Sequence, residues 1–170
     1  MQQIVRYVYE NGHRRIAFIH GEDTSVTQKR IASFFKTCSE LGIRVPEAYV
    51  RSALYHDPRS SGLATRDLLA LPERPTCILY PDDFSCFGGM NAINEKGLKI
   101  PDDISVVGYD GITIARNFEP KLTTIVQNTR RLGEEAAHKL IDLIETPRTT
   151  LTEQIVVEGT VFKGNSVKRL

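Results

Sequence analysis

The chain has 170 residues, 41% of them hydrophobic, which suits one domain with a proper core. Lysine and arginine total 22 against 21 aspartate and glutamate, so no global field draws it to nucleic acid or to an acidic membrane. Cys38, Cys77 and Cys86 lack zinc-ligand spacing and read as reduced core thiols, no apolar run approaches the roughly 20 residues of a membrane span, and the opening residues read as helix rather than secretory signal.

Residues 2–11 set Ile4, Val5 and Val8 at helical spacing, with Gly12 placed to end the helix in a left-handed conformation. Residues 15–20 form a buried-strand run closed by Gly21, and a polar loop comes next over 22–26. Ser25 and Gln28 have capping-box spacing, after which Ile31, Phe34, Phe35, Cys38 and Leu41 make one apolar face up to Gly42. A weaker second strand spans 49–55, interrupted by Arg51 and Ser52. Ser60 or Ser61 then caps a helix bearing Leu63, Ala64, Leu68 and Leu71, stopped by Pro72. Residues 76–80 are the third strand, and Pro81-Asp82-Asp83 leads into a helix with Phe84, Phe87, Met90 and Ile93 on one side, ended by Gly97.

Residues 104–111 are the fourth strand, a β-branched and aromatic run stopped by Asp110-Gly111. Beyond it the spacing predicts a short helix or ordered loop over 112–120, a fifth strand over 122–127, and a helix over 129–145 that buries Leu132, Ala136, Leu140 and Leu143. Residues 146–152 read as a linker, 154–162 as an edge strand, and 164–170 as a frayed basic tail.

Strand and helix alternating at this pace predict an α/β fold: an open, doubly wound, mostly parallel sheet with helices on both faces. The first four loops after strands then emerge at one edge, where ligands of such sheets gather. Asp110 sits there, as a ligand contact or as a cap of the following turn.

The run Gly12-His13-Arg14-Arg15-Ile16-Ala17-Phe18-Ile19, Arg30, Pro75-Thr76-Cys77-Ile78-Leu79, residues 94–101 and 103–111, and Leu122-Thr123-Thr124-Ile125 together resemble the effector-binding region of the lac repressor/galactose repressor family. The resemblance covers residues from about 12 to about 145. It implies a fold like that of type I periplasmic binding proteins, in which two lobes clamp a small effector while an N-terminal helix-turn-helix of a dimer holds operator DNA. Here it implies mainly the second lobe: 1–12 as a helix of the first lobe, 13–121 as the second, 122–150 as crossover and first-lobe helix, 151–170 as return strand and tail, with the DNA-binding domain outside the chain. A cytoplasmic, non-enzymatic regulator is expected, without cofactor or metal.

The resemblance assigns ligand contact to Arg30, Asp82 and Asp110, and a capping role to Asp83. A guanidinium is a planar, permanently charged donor and a carboxylate accepts two hydroxyl bonds at once, so a sugar or polyol is the expected effector. Tyr55 or His56 is placed to stack on a ring, Ser25 lies in the pocket-facing loop, and Phe84 is a wall or core residue. A homodimer is expected through Gly88, Gly89, Met90, Ile93, Ile112 and Phe118, the glycines admitting a second backbone. Two rivals share the fold: a solute-binding protein of a transporter, and a magnesium-dependent phosphoacceptor or hydrolase using Asp82, Asp83 and Asp110. Against the latter, the acidic pair comes after the third strand rather than the first, and no nucleophile-elbow pattern surrounds Ser85 beside His20 and His56.

Overall fold

The structure, a computed structural model, describes residues 1–117, 119–147, 151 and 153–170. The elements in chain order are α1 (Gln2–Glu10), β1 (Ile16–His20), α2 (Ser25–Glu40), a 3-10 turn (Glu47–Tyr49), β2 (Val50–Ser52), α3 (Pro58–Leu69), β3 (Cys77–Leu79), α4 (Asp83–Glu95), β4 (Ser105–Asp110), α5 (Thr113–Asn117), β5 (Thr123–Val126), α6 (Thr129–Glu145) and β6 (Thr160–Phe162). They form one sheet in the order β2-β1-β3-β4-β5-β6, parallel throughout except for β6.

Alternation along the strands builds a core on each face of this sheet. Ala17, Ile19, Ile78 and Val106 point toward α3 and α4, joining Ala64, Leu68, Cys86 and Ile93. Ile16, Phe18, Cys77, Leu79 and Val107 point the other way, joining Phe34 and Cys38 of α2 and Ile4, Val5 and Val8 of α1. The helix assigned by resemblance to another lobe thus packs its apolar stripe into this sheet's own core. All three cysteines are buried and free. Gly12, Gly42 and Gly97 take positive φ just past α1, α2 and α4, as helix-ending residues do.

Several sequence expectations are corrected. Thr24, not Ser25, caps α2, because Thr24 holds the extended backbone and its hydroxyl accepts from Thr27 N at 3.1 Å; Gln28 bonds Asp23 instead. Asp57, not Ser60 or Ser61, caps α3, accepting from the amides of Arg59 and Ser60, with Pro58 at the first helical position. Only Val50–Ser52 of the expected second strand pairs with β1, and only Thr160–Phe162 of the last strand pairs with β5. α6 spans the expected residues but buries none of them, and Leu140 and Ile144 are 59% and 71% exposed. The expected linker falls partly outside the described residues.

The tail is tied down rather than frayed. Ser166 is wholly buried, its hydroxyl donating to Val106 O and accepting from Thr123 N, while Val106 N donates to its carbonyl. The Lys168 and Leu170 amides reach Ser105 Oγ and Asn11 O, and the buried His13 ring bridges Lys168 O and Thr76 Oγ1. These bonds complete the backbone pairing where β4 and β5 begin, which composition alone does not signal.

The glycines of α4 serve packing within the chain, which overturns the reason for placing them in an interface. A Cβ on Gly88 would run into the backbone of Pro58 at the start of α3, and one on Gly89 into the Tyr80 ring, so the two helices cross close to the sheet. Ile93 is fully buried in the same core. Phe118, the last residue of the expected interface, lies outside the described residues. Gly88→Ala should cost about 1–3 kcal/mol, because backbone rather than a movable side chain must yield. Urea denaturation of the variant showing no loss of stability would contradict this packing.

Candidate functional site

From β1 the chain crosses to β2 on the face of α2, and from β2 it crosses back over β1 to β3 on the face of α3. The crossovers therefore diverge beside β1, and the crevice outside the carboxyl ends of β1 and β3 is the switch point of the sheet. Thr24, Val26, Arg30, Tyr55, His56, Pro81 and Asp110 line a cavity of about 350 Å³ there.

Each wall has a local cause. Tyr55 lies over Gly21 at the end of β1, where a Cβ would collide with its ring, and its hydroxyl bonds Thr27 Oγ1 at 2.8 Å. His56 holds a positive φ of 55° because its amide is drawn to Asp82 Oδ2 at 2.9 Å, leaving its ring exposed at the lip, edge-on to Phe84. Arg30 is pinned flat: Nη1 donates to Pro81 O at 2.9 Å and the guanidinium lies 3.8 Å from the centre of the Tyr109 ring. Further N–H groups of the fork are left to donate.

The two aspartates after β3 depart from the roles that resemblance implied: Asp82 takes the capping role, and Asp83 is a buried tie between neighbouring elements. Asp82 is the cap, 1% exposed, accepting from Ser85 N and Ser85 Oγ at 2.8 Å each as well as from His56 N. Its carboxylate is spent on loops rather than turned to the crevice, because it holds the extended residue before α4. Asp83, at the first position of α4, is fully buried and accepts from Thr124 Oγ1 at 2.7 Å and Ile112 N at 2.8 Å. Burial pushes its carboxyl up to about 6, against the partial relief of those bonds.

Asp110 closes the far side of the crevice. It has a positive φ of 113°, and its carboxylate accepts from the side chain of Gln127. Burial raises its pKa, while the Gln127 bond and the nearby Arg30 pull it back. Gln127 escaped the sequence reading, because only the pairing of Asp110 with Val126 brings the end of β5 beside β4, whereas Thr24 and Val26 lie in the 22–26 loop expected at this edge without having been singled out. Ser25 is exposed in the first turn of α2 and does not line the cavity; Phe84, 45% exposed, stands at its rim. Arg30, Tyr55, His56 and Asp110 are brought together.

Among the described residues no group of three His, Cys, Asp or Glu side chains is arranged to hold a metal ion, and Asp82, Asp83 and Asp110 face different partners. Ser85 Oγ donates to Asp82 and to Leu54 O, not to a histidine, so no base–nucleophile pair forms. No helix of the described residues is long and apolar enough to cross a membrane.

The raised pKa of Asp83 carries a pH signature. A folded value near 6 against 3.8 for the free carboxyl favours the folded state fully below 3.8, an advantage lost as pH rises through 6, worth roughly 3 kcal/mol. The stability difference between the protein and Asp83→Asn should therefore change by about that amount between pH 3.5 and pH 7.5 in urea titrations. A pH-independent difference would exclude a buried, titrating Asp83.

The sequence matches the periplasmic binding protein-like domain over residues 5–167. It is 38% identical over 163 residues to the HTH-type transcriptional repressor PurR of Erwinia tasmaniensis, covering 95% of this chain and 47% of that protein. Its structure superposes on the transcriptional regulator CelR in complex with cellobiose with a TM-score of 0.88, at 29% identity, covering 97% of this chain and 50% of that one. The lac repressor dimer bound to operator and the anti-inducer ONPF gives a TM-score of 0.87 at 28% identity, over 98% of this chain and 57% of that one. The chain spans about half the length of the curated relatives it matches.

Proposed function

The chain belongs to the periplasmic binding protein-like domain family, and from that premise we propose that it is the effector-sensing region of a transcriptional regulator of the lac repressor/galactose repressor type. The observation that carries this reading is the crevice at the switch point, where a pinned guanidinium, a carboxylate and two aromatic rings converge. Arg30 would donate to a hydroxyl or ether oxygen and Asp110 accept from a hydroxyl, while Tyr55 and His56 offer ring surface to the apolar face of a sugar. With Asp82 spent as a cap, one carboxylate rather than two is left for the ligand, which still favours a neutral hydroxylated ring over an anion. The cellobiose complex of CelR agrees with a sugar or polyol.

In this reading the protein is a cytoplasmic non-enzyme. Charge is balanced at +1, and operator DNA is engaged by a part of the full-length regulator outside these residues. On titration calorimetry with a panel of cellobiose, monosaccharides, polyols and nucleosides, one of the sugars or polyols should bind best. Arg30→Ala should weaken that ligand by about 1.5–3 kcal/mol, the cost of a lost hydrogen bond to a charged group. Unchanged affinity in Arg30→Ala would sink this assignment of the site.

We also propose a symmetric homodimer through the outer face of α4 and the segment around α5. With Gly88, Gly89 and Ile93 committed to the chain's own core, the apolar groups offered to a partner include the exposed Ile114 and the outer parts of Met90 and Ile112, which otherwise pack against that core. Sedimentation should show a dimer at tens of micromolar that Met90→Glu with Ile114→Glu converts to monomer. A monomeric parent protein, or a dimer indifferent to both changes, would overturn this interface.

A further inference from the structure

The crevice lies at the carboxyl edge of the sheet, and the neighbouring strands β2, β1 and β3 enter from the opposite edge, each preceded by an arginine. Arg15 comes directly before β1, Arg74 shortly before β3, and Arg44 ahead of β2 and its 3-10 turn. Because the three strands are adjacent and parallel, their approaches converge on this amino edge. Two clefts there share Arg15. The larger, of about 370 Å³, is lined by Arg15, Arg44, Pro46, Tyr49 and Glu73, and the lining of the smaller, of about 110 Å³, includes Arg74 and Asp103.

The frame of the larger cleft is fixed by its own bonds. The Arg15 carbonyl accepts from Thr76 N at 2.8 Å, which ties the start of β1 to the start of β3. Tyr49 is buried and its hydroxyl donates to Glu73 O at 2.9 Å, so the segments before β2 and β3 are joined as well. The carboxylates of the two clefts are already engaged: Glu73 accepts from Arg15 Nη1 at 3.1 Å and Asp103 from Lys99 N at 2.8 Å. Among the described residues, the side chains of Arg44 and Arg74 enter no hydrogen bond or ion pair. Arg15 spends one nitrogen on an exposed pair, a kind of contact worth little. Three permanently charged forks, each with N–H donors to spare, therefore stand against two carboxylates that already have donors.

We propose that the larger amino-edge cleft is a second binding site, for a small molecule bearing a phosphate monoester. Arg15 and Arg44 donate to the phosphate oxygens, Arg74 adds charge from the adjoining cleft, and Pro46 and Tyr49 form the wall against which the organic body rests. Guanidinium forks make their strongest hydrogen bonds to phosphate and carboxylate, and three of them suit a dianion better than a single carboxylate. The volume falls within the range of about 300–1,000 Å³ common for small-ligand sites. This site stands on the amino edge alone and does not depend on what the crevice binds.

Phenyl phosphate, inorganic phosphate and phenol are titrated separately into the 170-residue chain at constant ionic strength, and amide shifts are followed by two-dimensional NMR. Phenyl phosphate should give a saturable response confined to residues 43–49 and 73–76, with Thr24 and Asp110 of the crevice unmoved, and phenol none. Arg44→Gln and Arg74→Gln should each weaken phenyl phosphate by about tenfold, the effect of one lost hydrogen bond to a charged group. Arg59→Gln, at an arginine of the separate groove between α3 and α4, should change nothing. All three arginines are exposed, so the variants should keep the parent's thermal midpoint within a few degrees. Absence of saturation at tens of millimolar would overturn the site. Weakening by Arg59→Gln as large as that by Arg44→Gln would overturn it too, marking phosphate as an adventitious ion only. Inorganic phosphate binding as tightly as phenyl phosphate would remove the role of Pro46 and Tyr49, and a DNA duplex that moved the same amides at lower concentration would overturn the small-molecule class.

Discussion

The carboxyl edge of the sheet is held by two adjacent buried carboxylates that pull in opposite directions. Asp82 draws the loop after β2 inward through the His56 amide, while Asp83 draws the turn after β4 inward through Ile112 N and Thr124 Oγ1. Burying a carboxylate is costly, and the usual resolutions are strong hydrogen bonding or neutralisation. Asp82 accepts from three donors, His56 N, Ser85 N and Ser85 Oγ. Asp83 accepts from two donors, and burial pushes its carboxyl up to about 6. Gly108 belongs to the same arrangement, because a Cβ on this β4 residue would occupy the place of Asp83 Oδ1.

Because the loop after β2 and the turn after β4 hang on these two side chains, the walls of the crevice are positioned by groups that do not themselves face it. The backbone strain has the same distribution. His56 and Asp110 are the non-glycine residues with positive φ among those described, and each lies at the crevice with its conformation held by a bond to a neighbouring loop. Strain concentrated at a site and held from outside is the expected signature of a pre-organised binding surface. Elsewhere helix ends that need positive φ use glycine, and nothing comparable is stored there.

The cores and the proposed binding surface are accordingly separated in space. The two cores on the sheet faces are built from β1, β3 and β4 with α1 to α4, and they are closed at the opposite edge by the tail through Ser166 and His13. The crevice borrows rigidity from those cores but contributes little burial of its own. Substitutions at exposed crevice residues such as His56 should therefore change recognition more than folding.

Local pattern along the chain was enough to specify the α/β class, the order of the elements and the parallel sheet with its four loops on one edge. Those properties depend on periodicity, on glycine and proline stops and on the handedness of crossovers. The same topology places Tyr55, His56 and Asp110 at one edge, and the family resemblance adds Arg30. Three-dimensional packing was needed to choose which of two neighbouring residues does which task. Thr24 and Ser25, Asp57 and Ser60, and Asp82 and Asp83 are interchangeable by composition, and only the backbone angle of the residue before each helix selects the cap. Packing was needed too for Gly88 and Gly89 to face α3 and Tyr80 rather than a second chain, for the tail to become a buried strap, and for Gln127 to meet Asp110. Each of these is a contact between residues distant in sequence, and its energy comes from a partner that no local pattern names.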